Sequence, residues 1–444
     1  MNTNGDVSTR KGERLGFRYS PERRTALVLC GTGAHGAYHA GVLRALQEAG
    51  VKIDVMAGQG IGAASAALAA IDGAARLWDK DGVWRADAVR VLYRWKWALR
   101  AGGSLALLLV AVVVALPVLA ALGVPVWNWA PLAVLAAFVL VAVAGVLLDR
   151  RDSGRRRAEG RPWWRLLGAP VDAEPVREAF ARALWQLIRG ASHVARPDGP
   201  AVGRRYAEVL SDNLGQPGFR ELMLVVTDLD SRRDVVAALL REPHRAEFAA
   251  PRPDRERQAE AIDLAGAGRD HAFEVMAAAL TPPVVCDPQL VTFGVDSYWR
   301  GETHRLCDRP GACTRLLEEL AVAGVSQIIV VSAVAASQTP HRLTAFRLDL
   351  RHRLGEFLAA AEAAALRDAL EMARLRFDSV HVISPPHNPV GAFDFAGAYD
   401  EASDRRQDLS ELMGRAYEDA YHQFIEPVVG ASGEQLARTA PGPA

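Results

Sequence analysis

Cysteine is scarce. The 444-residue chain has four, Cys30, Cys286, Cys307 and Cys313, and no two stand in CxxC spacing. A disulfide framework is therefore excluded. Cys307 and Cys313 lie near His304, but a fourth ligand and close spacing are missing. They read as scattered thiols of a reducing compartment, with no metal or other cofactor. An excess of one charge is also absent: 52 Lys and Arg balance 52 Asp and Glu, so no global field draws the chain to nucleic acid. Residues Met1–Arg24 contain no apolar stretch of signal-peptide type. This segment carries Arg10, Lys11, Arg14, Arg18, Arg23 and Arg24 and reads as a disordered cytosolic tail.

Long apolar runs, by contrast, are present twice. Ala101–Leu122 and Ala130–Leu148 contain no charged residue. At about 1.5 Å per residue, each is long enough to cross about 30 Å of hydrocarbon as a helix. The connector Gly123–Trp129 is short and uncharged. Arg94, Lys96 and Arg100 precede the first run, and Arg150, Arg151, Arg155, Arg156 and Arg157 follow the second. The positive-inside rule then predicts a two-pass hairpin in an inner or cytoplasmic membrane with both chain ends cytosolic. Trp95, Trp97, Trp163 and Trp164 fall at one expected interface, and Trp127 and Trp129 at the other.

Outside these runs the pattern is α/β. Thr25–Cys30 is a short apolar strand, followed by the glycine turn Gly31–Gly36 and a helical pattern over Ala37–Ala49. Ile53–Ala57 is a second strand, followed by the turn Gly58–Gly62 and an alanine-rich helix to about Leu77. Alternation of this kind predicts a parallel sheet covered by helices on both faces. Leu222–Thr227, Ser326–Ser332 and Ser379–Ser384 read as later strands. Pro175–Arg189, Ala312–Ala323, Arg353–Arg376 and Leu409–Phe424 read as helices, and Pro243–Arg257 as a loop. The resulting division is a tail over 1–24, an α/β domain over 25–97 and 151–430, an inserted hairpin over 98–150, and a flexible tail over 431–444. Ser384–Arg406 is a long connection holding Phe393, Phe395 and Tyr399, which covers a pocket, lies on the bilayer, or is simply a packed connection before the last helix.

Two readings fit the glycine turns. The first turn, GTGAHG, matches the GxGxxG of dinucleotide sites. The acidic residue expected at the end of the second strand is missing there, because Asp54 comes too early. The second reading takes both turns together. The first presents backbone amides as an oxyanion hole, and the second is a sharp elbow that presents a nucleophile at a helix start. The blocks LVLCGTGAHGAYHAGVLRALQEAG, GQGIG and LVVTDLDS resemble the patatin-like phospholipase family. That resemblance implies a three-layer α/β/α domain, lipid or acyl-ester substrates, no cofactor and a Ser-Asp dyad.

This chain departs from the family pattern at the chemistry. Thr32 replaces the second glycine of the first turn, His35 replaces its basic residue, and Gly60 stands at the nucleophilic serine. A glycine cannot attack an ester. The resemblance implies Asp296 as the dyad aspartate, with Asp287 second, although Ser297 and Tyr298 replace the glycines expected after Asp296. Gly31, Thr32, Gly33, His35, Gly36, Gly58 and Gly62 would form the oxyanion and ligand site. Ser65 lies more than a turn beyond the elbow and reads as a helix contact. His35 and His39 share one helix face without a third metal ligand and read as neutral histidines, facing solvent or capping the helix. The expected protein binds membrane lipid or acyl groups with little serine-dependent hydrolysis. The alternatives are a hydrolase with another nucleophile and a tethered scaffold.

Overall fold

The alternating apolar residues of the strands make the core two-sided. A computed structural model describes residues 19–121, 134–140, 143, 168–190, 194–250, 259–295, 299–335, 350–400 and 403–430. Along β1 (Thr25–Gly31), Leu27 and Leu29 face one cluster, while Ala26, Val28 and Cys30 face another. In β2 (Val55–Gly60) Met56 faces the first cluster and Val55 and Ala57 the second. This is the period of two expected of strands buried on both faces.

The first face is covered by α1 (Gly36–Glu48) and α2 (Ile61–Ala70), joined later in the chain by α6 (Ala272–Ala279) and α9 (Leu409–Ala420). The second face is covered by α7 (Cys313–Val322) and α8 (Leu350–Arg376). Between α2 and α6 lie α3 (Trp97–Ala121), α4 (Glu174–Ile188), α5 (Gly199–Asn213), β3 (Glu221–Asp228), β4 (Arg233–Leu239) and β5 (Ala259–Asp263). The remaining strands are β6 (Gln289–Thr292), β7 (Thr303–Cys307), β8 (Gln327–Ser332) and β9 (Ser379–Ile383).

The main sheet runs β9-β8-β1-β2-β3-β4-β5. Neighbours from β9 to β3 are parallel, β3 pairs β4 antiparallel, and β7 adds to β3 antiparallel through Thr227 and Asp228. The five expected strands are all present. β4, β5, β6 and β7 went unread; β7, for one, is Thr-His-Arg-Leu-Cys and contains no continuous apolar run of strand length.

Three expectations change. Among the described residues no helix is long and apolar enough to cross a membrane. The predicted hairpin thus gains no support here, although α3 covers the first apolar run, and most of the second lies outside the described residues. The predicted loop at Pro243–Arg257 holds a short helix, His244–Ala249. Tyr19, assigned to the disordered tail, is 5% exposed, stacks edge-on against Phe424 at 5.6 Å and donates to the Lys52 carbonyl at 3.1 Å. The predicted tail at 431–444 lies outside the described residues.

Candidate active site

Parallel β1 and β2 are in register, so Gly31 and Gly60 are partners at the carboxyl ends of their strands. Open α/β sheets place ligands at this end. Gly60 caps α2 with φ 60° and ψ −132°, a conformation open to glycine and costly for other residues. This is the geometry of a nucleophile elbow without its nucleophile. A Cβ added at Gly60 would lie 2.2 Å from the Gly31 carbonyl oxygen and 2.9 Å from Asp308 Oδ2. The elbow is therefore closed even to a methyl group in this arrangement.

Close backbone packing explains several of the other glycines. A Cβ on Gly62 would fall 2.0 Å from the Leu29 carbonyl, and one on Gly58 2.4 Å from the Gly62 carbonyl. Gly36 packs under the Trp84 ring. These glycines let β1, β2, α1 and α2 approach one another closely. Ser65 donates to the Ile61 carbonyl one turn back, as a helix residue with no part in the site.

The acid opposite Gly60 is Asp308, immediately after β7. Asp287 is exposed and pairs with Lys96, and Asp296 lies outside the described residues. Asp308 is 1% exposed, and burial pushes its carboxyl up to about 7. Hydrogen bonds from Gln59, the Arg309 amide and Thr32 act against that rise, as does the Arg309 charge. The Gln59 side-chain amide donates to Oδ1 at 3.4 Å, and the Arg309 amide does so at 2.8 Å. Thr32, the residue that replaces a glycine, donates its hydroxyl to Oδ2 at 3.5 Å. The chain thus lacks a hydroxyl at position 60 and has one on the facing turn, aimed at the same carboxyl.

Asp308 had a sequence signal that was passed over. It follows Leu306-Cys307 and precedes Arg309-Pro310-Gly311, so the glycine of the expected Asp-Gly pair is displaced by two positions. The guanidinium of Arg309 is turned away to Asp234 Oδ2 at 2.6 Å. Glu362 of α8 had no sequence signal. Its carboxyl is buried, Oε1 has no hydrogen-bond partner, and burial followed by the charge of Asp308 pushes it up to about 8. Beside these acids, the thiols of Cys30 and Cys313 meet at 3.3 Å.

The first glycine turn is already engaged. The Ala34 amide donates to the Ala392 carbonyl at 2.7 Å. Gly33 has φ 58°, and a Cβ there would sit 2.0 Å from that same carbonyl oxygen. The long connection between β9 and α9 therefore lies directly on the turn. Its Phe393 and Phe395 are buried with rings 5.7 and 5.6 Å from the ring of Tyr93. The connection is thus a packed one, buried against the first turn at Ala392, Phe393 and Phe395.

His35 and His39 are buried, not solvent-facing. Burial lowers both to about 4, so both are neutral at pH 7. His39 Nε2 bonds the Cys30 carbonyl at 2.9 Å, and His35 bonds the Val390 backbone of the covering connection. Among the described residues no cluster of side chains could hold a metal ion.

Residues 27–267 match the Patatin family, described as patatin-like phospholipase. No curated protein matches. Among solved structures, VipD from Legionella pneumophila is similar at 16% identity with a TM-score of 0.30, covering 91% of this chain and 66% of that one. The type III effector protein ExoU is similar at 16% identity with a TM-score of 0.23, covering 95% of this chain and 64% of that one. The chain spans less than two thirds of the length of either. With the family match covering more than half of its residues, the chain belongs to the patatin-like phospholipase family.

Proposed function

We propose that this is a membrane-associated patatin-like protein of lipid metabolism that binds lipid or acyl-ester groups without serine-dependent hydrolysis. One observation carries the proposal: Gly60 holds the elbow conformation beside Asp308 in a chain that belongs to a phospholipase family. The fold and the base are kept, and the nucleophilic hydroxyl at that position is gone.

Association with the cytosolic side of a membrane is supported by the charge-free runs between Arg100 and Asp149 and by the arginines around them. Leu107 is 73% exposed and Val114 64% on α3, an apolar surface that water covers at a cost. Membrane lipid is the partner this reading names.

A second reading, a membrane-tethered scaffold with a vestigial pocket, is favoured by the Ala392 carbonyl already bound to the Ala34 amide. Lipid retained by detergent-purified protein, extracted and weighed by mass spectrometry, separates the two. The binding reading expects retained lipid in the wild type and its loss in Gly33→Val, whose side chain collides with the covering connection. Equal lipid in both proteins removes the glycine turn from the site, and no lipid in either favours the scaffold.

A further inference from the structure

We infer that the catalytic hydroxyl of this protein has moved from the second turn to the first: Thr32 is the nucleophile and Asp308 its base. This activity rests on the lipid site proposed above. Three groups at the ends of β1 and β7 carry the assignment. Thr32 Oγ1 points at Asp308 Oδ2 from 3.5 Å, longer than the roughly 2.6–3.2 Å of a closed nucleophile-to-base contact and of the looser kind found before substrate binds. Asp308 lies opposite Gly60, within 2.9 Å of where a Cβ there would be, so it faces both turns. Two residues beyond Thr32, the Ala34 amide holds a carbonyl oxygen at 2.7 Å. The bound carbonyl belongs to Ala392, so the Ala34 amide is aimed at an acceptor oxygen two residues from the threonine.

The reaction follows from that placement. An ester carbonyl replaces the Ala392 carbonyl on the Ala34 amide once the covering connection moves. Thr32 Oγ attacks the carbonyl carbon, forming a C–O bond, while its proton passes to Asp308 Oδ2. The developing oxyanion is stabilised by the Ala34 amide. Collapse breaks the bond to the leaving alkoxide, which takes the proton from Asp308. Water, deprotonated by Asp308, then cleaves the acyl-threonine, releasing a carboxylic acid and restoring the hydroxyl. One ester and one water give one acid and one alcohol. Thr32 has an ordinary extended backbone at φ −119° and ψ 138°, so this nucleophile needs no strained elbow.

The test is covalent labelling of the full chain in detergent with an alkyl fluorophosphonate, mapped by peptide mass, beside turnover of p-nitrophenyl butyrate. The proteins are the wild type, Thr32→Val, Thr32→Ser, Asp308→Asn and Phe395→Ala, the last chosen to loosen the covering connection. Amide exchange at Ala34 reports independently that the turn has opened. The expected result is an adduct on Thr32 in the wild type or in Phe395→Ala, kept in Thr32→Ser. Thr32→Val should lose the adduct, and Thr32→Val and Asp308→Asn should slow turnover by about 100-fold or more. An adduct elsewhere that persists in Thr32→Val overturns the assignment. So does an opened Ala34 amide in Phe395→Ala with neither adduct nor turnover. Retained lipid measured on Thr32→Val separates this failure from that of the lipid site: lipid without label leaves the binding reading standing and removes the threonine chemistry.

Discussion

The two ends of the central sheet bury carboxylates under opposite terms. At the end where β1 and β3 begin, Glu221 is 1% exposed and fully paired. Arg241 Nε donates to its Oε1 at 3.0 Å, and Arg24 bonds both of its oxygens. At the end where β1 and β2 finish, Asp308 and Glu362 are just as buried, yet among the described residues Glu362 Oε1 has no partner and no guanidinium is turned onto Asp308 Oδ2. A buried charge that serves only the fold is matched by cations, since leaving it alone costs several kcal/mol. Carboxyls left unmatched, with a tendency to hold a proton, mark a place kept for chemistry. The contrast identifies the working end of the sheet without reference to any motif.

Breaking the paired end should produce the largest effect. Glu221→Ala leaves two guanidiniums without their acceptor at the start of β3. The expected cost is about 3–4 kcal/mol of stability at any pH near neutral, read as a lower midpoint in urea unfolding. A loss under about 1 kcal/mol would mean that the pairing contributes no more than a surface ion pair does.

The unpaired end should instead respond to pH. The carboxyl of Glu362 is raised in the folded chain, so folding holds a proton that the unfolded chain releases above its ordinary value. Stability is complete below about pH 4.5 as far as this group is concerned, and is lost as pH rises through about 8. Asp308 adds a similar loss that ends near pH 7. Glu362→Gln removes the larger part, so at pH 8.5 the variant should be more stable than the wild type by about 3 kcal/mol, with little difference at pH 5. A variant that is less stable at both values would show Glu362 to be paired in solution.

The histidines beneath the first turn give the opposite slope and a smaller effect. Both are lowered by burial, so the unfolded chain binds protons below about pH 6.5 that the folded chain refuses until about 4. Stability is lost as pH falls through that window. His39→Gln keeps a donor for the Cys30 carbonyl and should recover about 2 kcal/mol at pH 4.5, with no change at pH 8. Together the two limbs predict a stability maximum in weakly acidic solution.

The same contrast explains what was legible in the sequence. Both glycine turns, five strands and the order of the first two βα units follow from local signals, because close backbone approach demands glycine at fixed spacing. Gly31 and Gly60 could be placed as neighbours from sequence alone. The acid half could not. Asp308 reaches Gly60 only because β7 pairs antiparallel with β3, and β7, Thr-His-Arg-Leu-Cys, is too polar to stand out as a strand. Asp287 and Asp296 precede acceptable-looking loops, and only the pairing of β7 decides for position 308. Glu362 lies mid-way along a 27-residue helix whose exposed and buried acids look alike in sequence. The covering connection was legible as aromatic and long. That Ala392 would present its carbonyl to Ala34 was not, because a backbone acceptor leaves no trace in residue type.

Gly60→Ser sharpens the comparison with the smallest expected change in activity. Restoring a serine at the elbow looks like a direct route to family chemistry, and the packing argues otherwise. The new Cβ would begin 2.2 Å from the Gly31 carbonyl, and a non-glycine residue at φ 60° adds strain. β1 and the first turn must shift, at a cost of about 2 kcal/mol. That shift moves Thr32 and the Ala34 amide, the groups a regained serine would need for its oxyanion. The expected outcome is a folded, mildly destabilised protein with no new turnover of p-nitrophenyl butyrate above the parent. Turnover that appears with Gly60→Ser and survives Thr32→Val in the same chain would show that the elbow tolerates its original residue. The missing serine oxygen would then be the only part of the family site that has been lost.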